Sequence, residues 1–136
     1  MRRHTLIVLT AGFMIAACAS REEAIKRDYE RLTGTWRLTS AVKDGKGDKF
    51  TISGDPALGT SGAGTFTIDA TKNPKTVDSL QSEGPDAGKT ALGIYEIIDD
   101  NTKRACWAPP GKERPTEFTS KPGSGHLLQV WKREKP

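Results

Sequence analysis

At Gly34 the hydrophobic pattern of this chain changes period, and that change constrains the fold more than any other feature of the sequence. Before it, Ile25, Tyr29 and Leu32 recur at helical spacing along residues 21–32. After it, Trp36, Leu38, Ser40 and Val42 alternate with Arg37, Thr39, Ala41 and Lys43, as in a strand with one buried face. Gly and Pro, 14 and 8 in a chain of 136 residues, then interrupt the pattern so often that no long second helix fits. Short strands are what remains.

The helix reads from Arg21 to Leu32. Ser20 with Glu23 makes a capping-box pattern, Glu22 with Lys26 and Glu23 with Arg27 supply i to i+4 pairs, and Gly34 is the stop. Strands are expected over Thr35–Lys43, around Phe50 and Ile52, around Phe66 and Ile68, over Lys75–Leu80, Ala91–Ile98 and Lys103–Ala108, around Phe118, and over Leu127–Lys132. Asp44-Gly45-Lys46-Gly47 and Asp99-Asp100-Asn101 read as hairpin turns, and residues 54–64 and 82–88 as loops. The expected fold is mainly β: one short N-terminal helix followed by an antiparallel meander of about seven or eight strands that curls or closes into a barrel.

The N-terminus carries an export signal. Arg2, Arg3 and His4 precede the apolar run Leu6–Ala17, which ends in small residues around Cys18. The run meets Arg21, Glu22 and Glu23 too soon for a membrane-spanning helix, which needs about 20 apolar residues. Residues 1–19 are therefore read as a signal sequence and residues 20–136 as one β-barrel-like domain. Ile15-Ala16-Ala17-Cys18 resembles the lipobox of bacterial lipoproteins. That resemblance implies lipidation of Cys18 and an exported, cell-envelope or periplasmic protein anchored to a membrane by its lipid; Ala17-Cys18-Ala19 also suits cleavage by an ordinary signal peptidase.

Two further resemblances bear on the domain. Leu32-Thr33-Gly34-Thr35-Trp36, the run 68–78 (IDATKNPKTVD), Gly93-Ile94-Tyr95-Glu96, the run 108–118 (APPGKERPTEF), Ser120-Lys121-Pro122-Gly123-Ser124-Gly125 and Lys132-Arg133 resemble a planctomycete family of small exported proteins of uncharacterised activity. The helix followed by Gly34-x-Trp36 is similar to the opening of a lipocalin. That likeness implies a barrel closed at one end by Trp36, with Arg133 from the last strand lying across its ring.

Candidate sites are few. Without Arg2 and Arg3 the chain has 19 cationic against 17 acidic residues, too even a balance for a nucleic-acid binder. Cys106 with His126 matches no nucleophile and base arrangement of known spacing, so no catalytic residue and no enzymatic activity is expected. Two His and one available Cys make no zinc site, and Asp99-Asp100-Asn101 lacks the other ligands of a calcium loop; no metal or cofactor is expected. With Cys18 acylated or removed, Cys106 has no disulfide partner and reads as a core thiol. Tyr95 and Trp107 are candidates to line a ligand cavity, or are simple core. Arg114, in the Pro-rich stretch 109–117, either grips a carboxylate or other anion or pairs internally with Glu117 or Asp78. The expected function is non-enzymatic binding of a small apolar or amphipathic ligand at the envelope; a structural module docking on an envelope protein is the alternative.

Overall fold

The computed structural model describes residues 20–48, 64–82 and 86–134. The export segment with Cys18, the strand expected around Phe50 and Ile52 and most of the loop 54–64 lie outside the described residues. One helix, α1 (20–32), precedes seven strands: β1 (Trp36–Lys43), β2 (Lys46–Asp48), β3 (Gly64–Asp69), β4 (Lys75–Gln81), β5 (Thr90–Asp99), β6 (Thr102–Trp107) and β7 (Leu127–Arg133). They form one antiparallel sheet in the order β2-β1-β7-β6-β5-β4-β3. Each strand lies beside its sequence neighbour, except that β2 and β3 do not pair, and β7 returns to β1. The meander is as expected. No closed barrel is found among the described residues, where β2 and β3 are the two edges of the sheet.

Strand β2 begins at Lys46, inside the stretch 44–47 expected to be turn, because Asp44 (φ 52°) and Gly45 (φ 74°) make a two-residue turn with both φ angles positive. Such a turn suits the right-handed twist of the flanking strands, and it brings Lys43 opposite Lys46 at once. The segment around Phe118 forms no strand, because its backbone runs over a sheet face instead of pairing at an edge.

Register decides what each face carries, since partners across a ladder share a face. One row runs Ile68, Val77, Gly93, Trp107, Leu127; the next runs Lys75, Tyr95, Ala105, Gln129, Ala41; a third runs Ile97, Lys103, Trp131, Leu38. A β-bulge between Leu38 and Ser40 keeps both Leu38 and Ala41 on this face, and both are buried. Helix α1 lies across it, packing Ile25, Tyr29 and Leu32 on the core of Ile68, Val77 and Tyr95. Gly93 is required under Trp107: a Cβ there would stand 2.6 Å from the indole and 2.9 Å from the Cys106 carbonyl oxygen.

The opposite face carries Asp78, Leu92, Ile94, Cys106, Leu128 and Arg104, and residues 108–126 strap over it. Thr119 accepts a hydrogen bond from the Cys106 thiol at 3.4 Å, the Arg104 guanidinium stacks 4.2 Å from the Phe118 ring centroid, and Gly45 donates to Ser120 Oγ. The two fully buried side chains among the described residues, Ile94 and Cys106, lie beneath this strap. One sheet is thus covered on both faces, by a helix on one and an irregular strap on the other.

Candidate functional site

The residues singled out from the sequence fall on opposite sides of this sheet. Tyr95 and Trp107 share the α1 face, where Trp107 Nε1 donates to Gln129 Oε1 at 3.0 Å. Arg114 pins the strap to the other face. Its Nη1 donates to the carbonyls of Val77 (3.1 Å) and Gly93 (2.8 Å), and its Nη2 meets Asp78 Oδ1 at 2.6 Å. Of the two acids expected as internal partners, Asp78 is the one used. Glu117 pairs with Lys121 at 3.8 Å. Arg114 and the two aromatic residues therefore do not converge on a common cavity.

Trp36 and Arg133 do come together, with the Arg133 guanidinium carbon 4.3 Å from the ring centroid. Their main partner is the end of α1. The last turn of a helix leaves carbonyl groups without intrahelical donors, and here Trp36 Nε1 donates to Leu32 (2.9 Å) while Arg133 donates to Arg31 and Thr33 (both 2.7 Å). Thr33 Oγ1 donates to Tyr29 at 2.8 Å. A cation at this terminus is also favoured by the helix dipole. Gly34 makes room for it: φ is +122°, and an added Cβ would lie 2.6 Å from Arg133 Nη1.

At its middle, α1 is held by a group absent from the apolar pattern. Asp28 is 3 % exposed, and its Oδ2 accepts hydrogen bonds from Lys75 Nζ and from the Tyr95 hydroxyl, both at 2.7 Å. Burial and the Asp28 carboxylate push the Tyr95 hydroxyl far above the usual phenol range. The ends of α1 are tied by Arg21 to Asp69 (3.1 Å) and Arg31 to Asp100 (3.6 Å). Ion pairs for Glu22 with Lys26 and Glu23 with Arg27 are not formed among the described residues; the helix spends charge on the sheet's turns instead.

Beside α1 runs an open groove of about 440 Å³ lined by Glu22, Ile25, Lys26, Tyr29, Glu30 and Thr33. Ile25 and Tyr29 are half-buried in its apolar part and charged groups of both signs rim it. The Tyr29 ring continues toward Phe66, with centroids 5.7 Å apart, and Phe66 is 48 % exposed.

Nucleophilic chemistry finds no support here. Burial raises the Cys106 thiol above its ordinary range, which disfavours the thiolate that a nucleophile needs. Asp99 accepts from the Asn101 amide at 2.8 Å, closing a hairpin turn, and no group of His, Cys, Asp and Glu among the described residues is arranged to hold a metal ion. No helix among the described residues is long and apolar enough to cross a membrane.

Sequence reasoning missed Asp28 and Lys103. Asp28 lies at the edge of the stripe of Ile25, Tyr29 and Leu32, where an acid reads as a solvated helix position. Lys103 shares the inward alternation of Ala105 and Trp107. No family model, curated protein or solved structure matches the chain.

Proposed function

We propose that this chain is an exported, lipid-anchored module of the cell envelope that acts by binding and not by catalysis, and that it holds a small amphipathic molecule in the groove beside α1. The observation that carries the reading is the groove itself: about 440 Å³, with the half-buried Ile25 and Tyr29 offered to an apolar body and Glu22, Lys26 and Glu30 to a polar head. Ligand sites typically have volumes of roughly 300 Å³ upward, with apolar walls and a few polar groups. The lipobox-like Ile15-Ala16-Ala17-Cys18 supports the envelope location, as does the resemblance to small exported planctomycete proteins.

Titration of the mature protein with the neutral apolar dye N-phenyl-1-naphthylamine tests the groove. Saturable one-site fluorescence enhancement is expected, weakened about tenfold by Ile25→Ser, the loss of one buried aliphatic contact being worth about 1.5 kcal/mol or more. Leu80→Ser, which alters an exposed side chain on the strap face of β4, leaves it unchanged. Equal dye binding by both variants would remove the groove from the account.

A second reading is favoured by the packing of the α1 face. Ile68, Val77 and Tyr95 are filled in by Ile25, Tyr29, Leu32, Ile97, Ala105 and Trp107, as in a structural module that docks on an envelope protein.

A further inference from the structure

Lys103 stands apart from the groove and from every pairing described above. It projects from β6 between Ile97 and Trp131, its register partners, onto the face that α1 covers. Its Nζ lies 4.4 Å from the Trp36 ring centroid and 5.7 Å from that of Trp131. Among the described residues it has no carboxylate or carbonyl partner, although seven ion pairs are formed elsewhere among them. Its neighbour Arg133 is differently placed, since three of its nitrogens donate to the carbonyls of Asp100, Arg31 and Thr33. Two cations thus meet one indole ring, and only one of them has oxygen partners.

An ammonium taken partly out of water needs oxygens to replace its hydration. The two indole faces provide part of that by cation–π attraction, but they accept none of its three N–H donors. Among the described residues no side-chain nitrogen or oxygen is sealed from solvent without a partner, so Nζ retains some exposure. On α1, Arg31 pairs with the exposed Asp100 at 3.6 Å.

We propose that Lys103 is the receiving cation of an oxyanion site, taking a carboxylate or phosphate oxygen on the open side of its ammonium between Trp36 and Trp131. Burial, with the Arg133 charge beside it, brings Lys103 down to about 8. A bound anion reverses that trend, because it associates with the charged form. The site is independent of the groove beside α1.

The test follows the lysine side chains by NMR through a pH titration of the mature protein in chloride, acetate and phosphate at equal ionic strength. An anion present at about twice its dissociation constant raises the Lys103 midpoint by about half a unit. Exposed lysines such as Lys89 and Lys121 serve as internal controls and stay fixed. Tryptophan fluorescence supplies a second readout: addition of the same anion changes emission in the wild type and not in Lys103→Met, which keeps the aliphatic stem against the indoles. A response to acetate alone assigns a carboxylate ligand, a response to phosphate alone a phosphate. An identical Lys103 midpoint in all three salts, or a fluorescence change that persists in Lys103→Met, overturns the site.

Discussion

Trp36→Ala lowers the stability of the domain by about 3 kcal/mol, toward the lower end of large-to-small aromatic losses because the ring is only half-buried. Three interactions go at once: the Nε1 bond to the Leu32 carbonyl, the stack with Arg133 at 4.3 Å and the contact with Lys103 at 4.4 Å. For a domain of this size the loss appears as a fall in melting temperature of about 10 °C or more. Trp36→Phe separates the contributions. It keeps much of the packing, leaves the Leu32 carbonyl without its donor and costs about 1 kcal/mol. An unchanged melting temperature for Trp36→Ala would show that α1 does not depend on this end of the sheet.

Asp28→Ala has a comparable effect by a different route. The Tyr95 hydroxyl and Lys75 lose their shared acceptor, and Tyr95 is 5 % exposed, so its hydroxyl has little access to replacement water. An unsatisfied buried donor costs about 1 to 3 kcal/mol. Lys75 is 36 % exposed in its side chain and turns to solvent at small cost, which keeps the total near 2 to 3 kcal/mol. Asp28→Asn retains an acceptor for Tyr95 and loses less. Urea denaturation of the two variants checks this order. The pair also predicts a limit at high pH: Tyr95 resists ionisation when folded more than when unfolded, so stability falls as pH rises above the unfolded phenol range, about 10.

The architecture was legible where a residue's local pattern and its tertiary role coincide. Alternation after Trp36 identified β1, runs rich in strand-forming residues around Ile94 and Trp131 marked β5 and β7, and Asp99-Asp100-Asn101 closed its hairpin, because these are local properties. The turn at 44–47 was read two residues too long, because the positive φ angles of Asp44 and Gly45 close the hairpin and Lys46-Gly47 resemble more turn. The short segment around Phe118 was placed in sequence but not in the fold. The Phe118 ring stacks on Arg104 from a strap held by Arg114 and by the Thr119 carbonyl over Cys106, contacts between residues distant in sequence.

The same division explains the site. Gly34, Trp36 and Arg133 were readable as a set through a resemblance, yet what they do together, namely satisfy the end of α1, depends on a contact between residues about a hundred positions apart. Arg114 was correctly offered Asp78 as a partner, since a guanidinium in a stiff loop seeks a carboxylate. Asp28 went unnoticed because a single acid between Tyr29 and Arg27 resembles any solvated helix position until Lys75 and Tyr95 are placed opposite it. The groove beside α1 is lined by residues of the helix and Thr33 alone, at helical spacing, but the sequence does not tell that this stripe borders open space.

The central proposal is that an anchored, non-catalytic module carries an amphipathic molecule beside α1. Native mass spectrometry of the protein extracted from the membranes of its own host tests it most directly. The account predicts a mature chain beginning at a diacylglycerol-modified Cys18, with one small molecule retained and released by Ile25→Ser. A chain that starts at Ser20 without lipid, or that carries no small molecule and instead keeps a stoichiometric protein partner, would contradict it.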